Sequence, residues 1–252
     1  MTLQLRVATF NIRNSSADDG ADSWPMRREA TVAAIKGLSA DVVGLQEVLP
    51  DQLDFLRVRF PAYSIVGVGR DDGASGGEHS VVLVRPGDWE VESHETRWLS
   101  EEPARPGSVG WDAELPRIAT LVRLRHSNRT PVGIANTHYD HVGETARVES
   151  SKVLDRWLMA EPERQWVLLG DLNAVPGSPT LQAITSTGWR DAVPAEEGGT
   201  EHAFTGATDR ERIDHILVGK GWQVEKAWVS HERPGGRLPS DHWPVVADVS
   251  LG

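Results

Sequence analysis

At six places in this 252-residue chain a carboxylate, a carboxamide or an imidazole stands where an apolar run stops. The clearest is QWVLLGDLNAVPGSPT, where residues 166–169 are strand-like and Asp171 and Asn173 follow, two positions apart, before a loop rich in Pro and Gly. Side chains at i and i+2 of a strand project to the same side, so this pair looks out together from the end of a sheet. LRVATFNIR ends on Asn11, DVVGLQEV on Gln46 and Glu47, and VGIANTHYDH on Asn136, His138, Asp140 and His141. ERIDHILV opens on Asp214, and LPSDHWPVVADV starts a strand at Asp241 and His242. Singly, each is an ordinary turn starter or helix cap. Together they supply carboxylates able to hold Mg²⁺ or Mn²⁺, with imidazoles and amides beside them. That is the inventory for metal-assisted attack of water on a phosphate ester.

The totals narrow the setting. Cysteine is absent, so disulfides and thiolate sites are excluded and a metal must bind through O and N ligands. The net charge of −11 disfavours passive tracking along nucleic acid. It weighs less against a nuclease, because a bound divalent cation reverses the sign locally. No uninterrupted apolar segment reaches membrane-spanning length, so no stable membrane insertion is expected. The start, MTLQLRVATFNIR, alternates like a strand and lacks a signal peptide's apolar core, which makes the cytoplasm the expected location. The length suits one large domain over residues 1–252, expected to act as a monomer.

The elements that must position these residues are mostly strands. LRVATFNI, DVVGLQEV, YSIVGVG, HSVVLVR, IATLVRLR, VGIANTHY, WVLLGDLN, RIDHILV, WQVEKAWVS and WPVVADVSL qualify by apolar or alternating pattern. Helical segments are predicted at residues 26–38, with Ala30, Ala33, Ala34 and Leu38 on one face, and at 52–60. A third spans 144–159, with Val148, Val153, Leu154, Trp157 and Leu158 inward, and a short fourth, 180–186, is opened by Ser178 and Pro179. Residues 71–77, 101–110 and 195–200 read as surface loops. Many strands and few helices predict an α/β arrangement of two stacked sheets flanked by helices.

TFNIR, LQEV, NTHYDH, GDLN, IDHI and SDHWPV, in that order, resemble the endonuclease/exonuclease/phosphatase superfamily, the deoxyribonuclease I-like fold. The motifs run from Asn11 to His242 and so cover almost the whole chain. The resemblance implies a four-layer sandwich of two central mixed β-sheets flanked by helices, with the site at their shared edge. It implies Mg²⁺ or Mn²⁺ as cofactor, held by Glu47 with support from Asn11, and Asp241 as a second carboxylate near the metal. It implies that Asp171 and Asn173 position the attacking water and a phosphate oxygen. His242 matches the catalytic imidazole, oriented by Asp214. His138 matches a second imidazole, with Glu78 as its partner. Arg117 sits where some members place a phosphate-contacting arginine; read without the resemblance, it is an exposed arginine at a strand start.

The loop segments RDDG, RWLSEEPARPGSVGWDAELPRI and NTHYDHVGETARVES resemble those of compact bacterial members of the superfamily. By that resemblance Arg70, Trp98, Trp111, Asp140, His141 and Arg147 shape a substrate pocket. A loop-built pocket and an acidic chain favour a small or terminal phosphate ester, either monoester or diester. A sugar phosphate, a nucleotide and a lipid head group all remain open. The alternative is a metal-dependent nuclease on DNA or RNA, single strands included. A silent binding module that kept the fold would have lost one of Glu47, Asp171, Asn173, Asp241 or His242, and all five are present.

Overall fold

A computed structural model describes residues 2–252; Met1, with which the one-domain expectation and the first strand-like run begin, lies outside them. In chain order the elements are β1 (Leu3–Asn11), α1 (Trp24–Gly37), β2 (Val42–Val48), α2 (Pro50–Arg59), β3 (Ser64–Val66), β4 (His79–Val84), β5 (Trp89–Trp98) and β6 (Ile118–His126). Then follow β7 (Pro131–His138), α3 (Glu144–Met159), β8 (Gln165–Asp171), α4 (Pro179–Thr185), β9 (Arg190–Asp191), β10 (Asp214–Val218), β11 (Trp222–Val229) and β12 (Val245–Leu251). One six-stranded sheet has the order β11-β12-β1-β2-β4-β3, the other β5-β6-β7-β8-β10-β9. Both are mixed: β1 pairs with β2, and β7 with β8, in parallel, while their other pairings are antiparallel.

Three apolar clusters make four layers. Between the sheets lie the side chains of Leu5, Val7, Val132, Ile134, Val167, Leu169 and Val249. On the outer side of the first sheet, Ile35 of α1 and Leu56 of α2 pack on Phe10, Leu45 and Leu83. On the outer side of the second, Leu154 of α3 and Ile184 of α4 pack on Leu121, Leu168 and Leu217. Each such buried side chain stabilises by about 1.5–3 kcal/mol, which lets the layers tolerate a polar edge. No helix of the described residues is long and apolar enough to cross a membrane.

Differences from the sequence reading have local causes. β5 escaped notice because it is an edge strand whose buried side chains, Trp89 and Trp98, stand only at its two ends. β9 is two residues long and has no period to read. α1 starts earlier than expected, with Pro25 in its first turn, and it exposes Ala33 while burying Arg27 and Thr31. In α3, Val148 and Trp157 are only half-buried. Ser178 caps α4 as expected, its hydroxyl accepting the Leu181 N–H at 3.4 Å.

On the face between the sheets each strand changes character along its length. β1 directs Leu3, Leu5 and Val7 into the shared core and then, at the same period of two, Thr9 and Asn11. β7 does so with Val132 and Ile134 followed by Asn136 and His138, and β8 with Val167 and Leu169 followed by Asp171. β10 runs antiparallel to β8, so its polar residue, Asp214, comes first and Ile216 and Val218 follow. Amides close the interior where the apolar rows stop. Gln46 Nε2 donates to Thr9 Oγ1 at 2.9 Å and to Asn136 Oδ1 at 2.7 Å. Asn136 Nδ2 donates to the Leu45 and Val81 carbonyls at 2.9 and 2.8 Å. Gly44 makes room for this: a Cβ there would stand 2.6 Å from Asn136 Oδ1.

Candidate active site

The polar ends of the rows meet by register. Asp171 on β8 is paired with His138 of β7 on one side and Asp214 of β10 on the other. Across the gap, Asn11 of β1 lies beside Gln46 of β2. Asn11 Nδ2 joins the two sheets, donating to Glu47 Oε1 at 2.9 Å and to Asp171 Oδ2 at 3.0 Å. The Arg13 N–H donates to Asn11 Oδ1 at 2.9 Å, which fixes the orientation of the amide. Asn11 therefore supports Glu47 through its N–H, and its oxygen is already taken.

Glu47 reaches this place by breaking the strand rule. Its neighbour Gln46 faces the other sheet, so in a regular strand Glu47 would face the helices. The β2–β4 register shifts between Leu45 and Val48, and Glu47 adopts a φ of +60°. This irregularity re-aims the side chain. Asn14 then donates to Glu47 Oε2 from its backbone and its side chain, at 3.0 and 2.9 Å.

His242 Nδ1 is bonded to Asp214 Oδ2 at 2.8 Å and lies 4.0 Å from Asp171 Oδ2. His138 Nε2 lies 3.6 Å from that same Asp171 oxygen. The other oxygen of Asp171 accepts the Asn173 N–H at 3.0 Å, with Asn173 held at a φ of +46° and its amide donating to the Tyr139 carbonyl. Asp241 accepts from Ser240 Oγ at 3.1 Å and lies 3.6 Å from Arg13 Nε.

Electrostatics separates these groups. Burial pushes the Asp171 carboxyl up to about 7, with the Asp214 carboxylate adding to it and His242 and Asn11 opposing. Glu47 goes the other way: burial would raise it, but the Asn11 amide, the Asn14 N–H and the charged His242 hold it below the usual carboxylate range. Burial raises Asp241, and nearby Glu47 adds to the effect. Burial would lower His242, yet Asp214, Asp241 and Asp171 hold its imidazolium well above the usual histidine range. Burial and the Arg117 guanidinium keep His138 well below that range in spite of Glu47.

Glu47, Asp171, Asn173, Asp241, His138 and His242 all line one cavity of about 310 Å³. Two carboxylates, half-buried Glu47 and buried Asp241, open onto it and form a hard-oxygen donor set suited to a divalent cation. Ligating atoms of Asp171, Asp214 and His242 also lie within 4.8 Å of one another. There, however, the 2.8 Å hydrogen bond between Asp214 and His242 already commits two of the three. Larger clefts of about 430 and 740 Å³ lie elsewhere, sharing Arg6 and holding none of these groups.

The residues expected to bind substrate divide. Arg70, Glu78, Arg117 and His141 line the cavity; Asp140 and Trp111 do not. Asp140 is instead a brace, buried, accepting the Val142 and Gly143 N–H groups at 3.0 and 2.8 Å and the Arg117 Nε–H at 3.3 Å. Those backbone donors and Arg117 overcome the cost of burial and hold its carboxyl at about 2. Trp98 donates its indole N–H to the Arg70 carbonyl, and Arg147 donates to the Asp140 carbonyl, so both support loops. Arg117 is buried, which replaces the exposed-arginine alternative. Glu78 lies 4.0 Å from His138 Nδ1 and is bonded to Arg70 Nη1 at 2.5 Å, so the expected direct His138–Glu78 pair does not form.

Sequence reasoning missed Arg13, Asn14 and Glu201, which also line the cavity. Asn14 follows Asn11 by one short turn in FNIRN, a proximity that could have flagged it. Glu201 arrives through an isolated bridge to His242, from beyond a segment read as a surface loop, and carries no local signal.

Comparison with known proteins fits this geometry. A profile of the Endonuclease/Exonuclease/phosphatase family matches residues 8–242. A solved structure of a family member from Bacteroides vulgatus is 34% identical, with a TM-score of 0.91, covering 99% of this chain and 100% of that one. A mannosyl-6-phosphatase from Bacteroides thetaiotaomicron is 31% identical, with a TM-score of 0.90, covering 97% of this chain and 99% of that one. The human nocturnin catalytic domain, solved with a bound sulfate, shares the fold at 18% identity and a TM-score of 0.76, covering 100% of this chain and 97% of that one. No curated protein sequence matches the chain. By the span of the profile and the identity to solved members, this chain belongs to the endonuclease/exonuclease/phosphatase family.

Proposed function

We propose that this chain is a divalent-metal-dependent phosphohydrolase acting on a small, hydroxyl-rich phosphate monoester, a sugar or polyol phosphate. The carrying observation is the lining of the 310 Å³ cavity, which sets carboxylates and imidazoles around one point and includes no Phe, Tyr or Trp. A nucleobase is usually gripped by stacking, worth about 1–3 kcal/mol per base, and the lining offers none of the large aromatic faces that do this best. Its apolar contributions are Leu115 and Ile213, while Arg13, Asn14 and Glu201 present polar groups suited to hydroxyls. The size lies at the small end for ligand sites, which suits a monosaccharide better than a polynucleotide. The similar mannosyl-6-phosphatase supports the sugar reading. The same reading treats the chain as one catalytic domain.

Glu47 and Asp241 would hold the cation, Mg²⁺ or Mn²⁺, and when bound it supplies Lewis-acid charge to the phosphate oxygens. Asp171 orients water and takes its proton, with its carboxylate fixed by Asn11 and Asn173. A carboxyl near 7 is matched to that task at neutral pH. His242, charged and held by Asp214, donates a hydrogen bond from Nε2 to a phosphate oxygen as negative charge grows there. His138, kept neutral, stands on the other side of Asp171 to meet the leaving oxygen.

The test is a substrate panel: sugar phosphates, an aryl monoester, an aryl diester, a single-stranded oligonucleotide and plasmid, each with Mg²⁺, Mn²⁺ or EDTA. Sugar phosphates should turn over fastest, and EDTA should stop them. Rapid cleavage of plasmid or oligonucleotide, with monoesters untouched, would replace this reading by the nuclease one.

A further inference from the structure

Beside the catalytic cavity, and sharing Glu47, Arg70, Glu78, Arg117 and His138 with it, lies a second and much smaller one of about 10 Å³. Three of these residues carry a buried polar atom with no hydrogen-bond partner in the protein: Arg70 Nε, whose nearest carboxylate, Asp71, stands at 3.8 Å, Arg117 Nη1 and His138 Nδ1. Unpaired buried groups of this kind are costly, about 1–3 kcal/mol each, and three around one cavity are not a coincidence of packing. Glu78 bonds Arg70 through Oε2, the same oxygen that stands 4.0 Å from His138 Nδ1, beyond hydrogen-bond reach.

The chemistry of the four groups identifies the occupant. Two guanidinium N–H groups can only donate, so it must accept twice. The Glu78 carboxylate accepts, so it must donate. A halide could not donate to Glu78, a cation would face two guanidiniums, and a phosphate far exceeds the space. A water accepts twice and donates twice, needs about 10–15 Å³, and is held by two to four polar partners. We infer that one structural water bridges Arg70, Arg117, Glu78 and His138, and that it fixes His138 as the tautomer protonated on Nε2. Its second hydrogen points to His138 Nδ1, which must then be bare, and the ring proton sits on Nε2, the nitrogen facing Asp171. His138 is thereby presented to the reaction centre as a donor. Glu78, Arg70 and Arg117 are positioning residues that act through the water. The catalytic consequence, donation by His138 to the leaving oxygen, rests on the phosphohydrolase reading; the water and the tautomer do not.

Two readouts independent of activity test the site on the full chain. A high-resolution crystal structure should show one solvent peak within hydrogen-bond distance of all four groups. Nitrogen-15 NMR of labelled histidine, with His138 assigned by its loss in His138→Gln, should show Nδ1 unprotonated. Both should vanish in Glu78→Leu and persist in Glu78→Gln, which keeps an acceptor if the leucine variant does not fold. An empty cavity in the wild type, an anomalous bromide peak there after a soak, or a protonated Nδ1 overturns the inference. Kinetics then separates positioning from mere support. Glu78→Leu should lose about 100-fold on an alkyl or sugar phosphate, whose leaving oxygen carries most negative charge and gains most from the His138 Nε2–H hydrogen bond, and largely spare a nitrophenyl phosphate, whose ring already delocalises that charge. Equal losses on both esters would refute the donor role while leaving the crystallographic result standing.

Discussion

His242 and His138 flank the same oxygen of Asp171, at 4.0 and 3.6 Å, yet they are held in opposite ways. His242 is bonded directly to a carboxylate, and surrounding negative charge keeps it protonated. His138 has no carboxylate within hydrogen-bond distance: Glu78 stands 4.0 Å from its Nδ1 and is engaged by Arg70. A second guanidinium, Arg117, adds to burial in keeping His138 neutral. Both imidazoles sit at strand ends on one face of one molecule. The difference comes from what stands behind each ring. Pushing two such groups apart gives one fold a charged donor and a neutral one at the same pH.

The sharpest way to break the comparison is to remove what the two rings share. Asp171→Ala and His242→Ala should each cost about 1,000-fold or more in kcat while circular dichroism stays native, and EDTA should do the same to the wild type. Near-wild-type turnover in either variant would end the assignment. Asp214→Asn sharpens the contrast by making His242 more like His138. It should cost about 100-fold at neutral pH and move the alkaline limb of the rate profile to lower pH. The sign follows from linkage. Asp214 raises His242 above its ordinary 6.5, so the proton is secure below that value and is lost only as pH rises through the higher folded value. A limb that stays in place would show that Asp214 does not set the charge.

Asp171 itself offers a stability test in the cation-free protein. Its carboxyl is raised from 3.8 to about 7, so the folded state holds the proton more tightly than the unfolded one. The ionised form is therefore a burden above pH 7, and the burden fades as pH falls toward 4. Asp171→Asn should raise stability at pH 8 by up to about 4 kcal/mol, with no gain near pH 4, read by urea unfolding. A destabilised variant at pH 8 would contradict the shift. Gly44→Ala, at the amide closure between the sheets, should cost about 1–3 kcal/mol because its Cβ collides with Asn136. The smallest effect is expected from Asp248→Ala in the middle of β12. Its ion pair with Arg6 is partly exposed, so the loss should stay within about 1 kcal/mol and leave kcat untouched.

Much of this was legible in the chain. Asn11, His138, Asp171 and Asp214 announce themselves because strand period and polar type change together at one end of each apolar run. Glu47 was visible as a carboxylate at a strand end, but the strand period points it at the helices, and a register shift with a positive φ turns it back. Glu78 was named as the partner of His138, and the structure inserts Arg70 there instead. The resemblance of their loop segments to those of bacterial members places Trp111 and Asp140 in the pocket, yet neither lines it, because a shared loop motif does not say which way each side chain turns.

The residues alone thus determined the inventory, the strand ends that carry it and the layered α/β architecture, because those follow from local periodicity and from what each side chain can ligate or protonate. Only the tertiary structure decided which groups share a cavity and how each is charged. Charge state depends on burial and on neighbours distant along the chain: Arg117 reaches His138 through the pairing of β6 with β7, and Asp214 meets His242 only when the two sheets close.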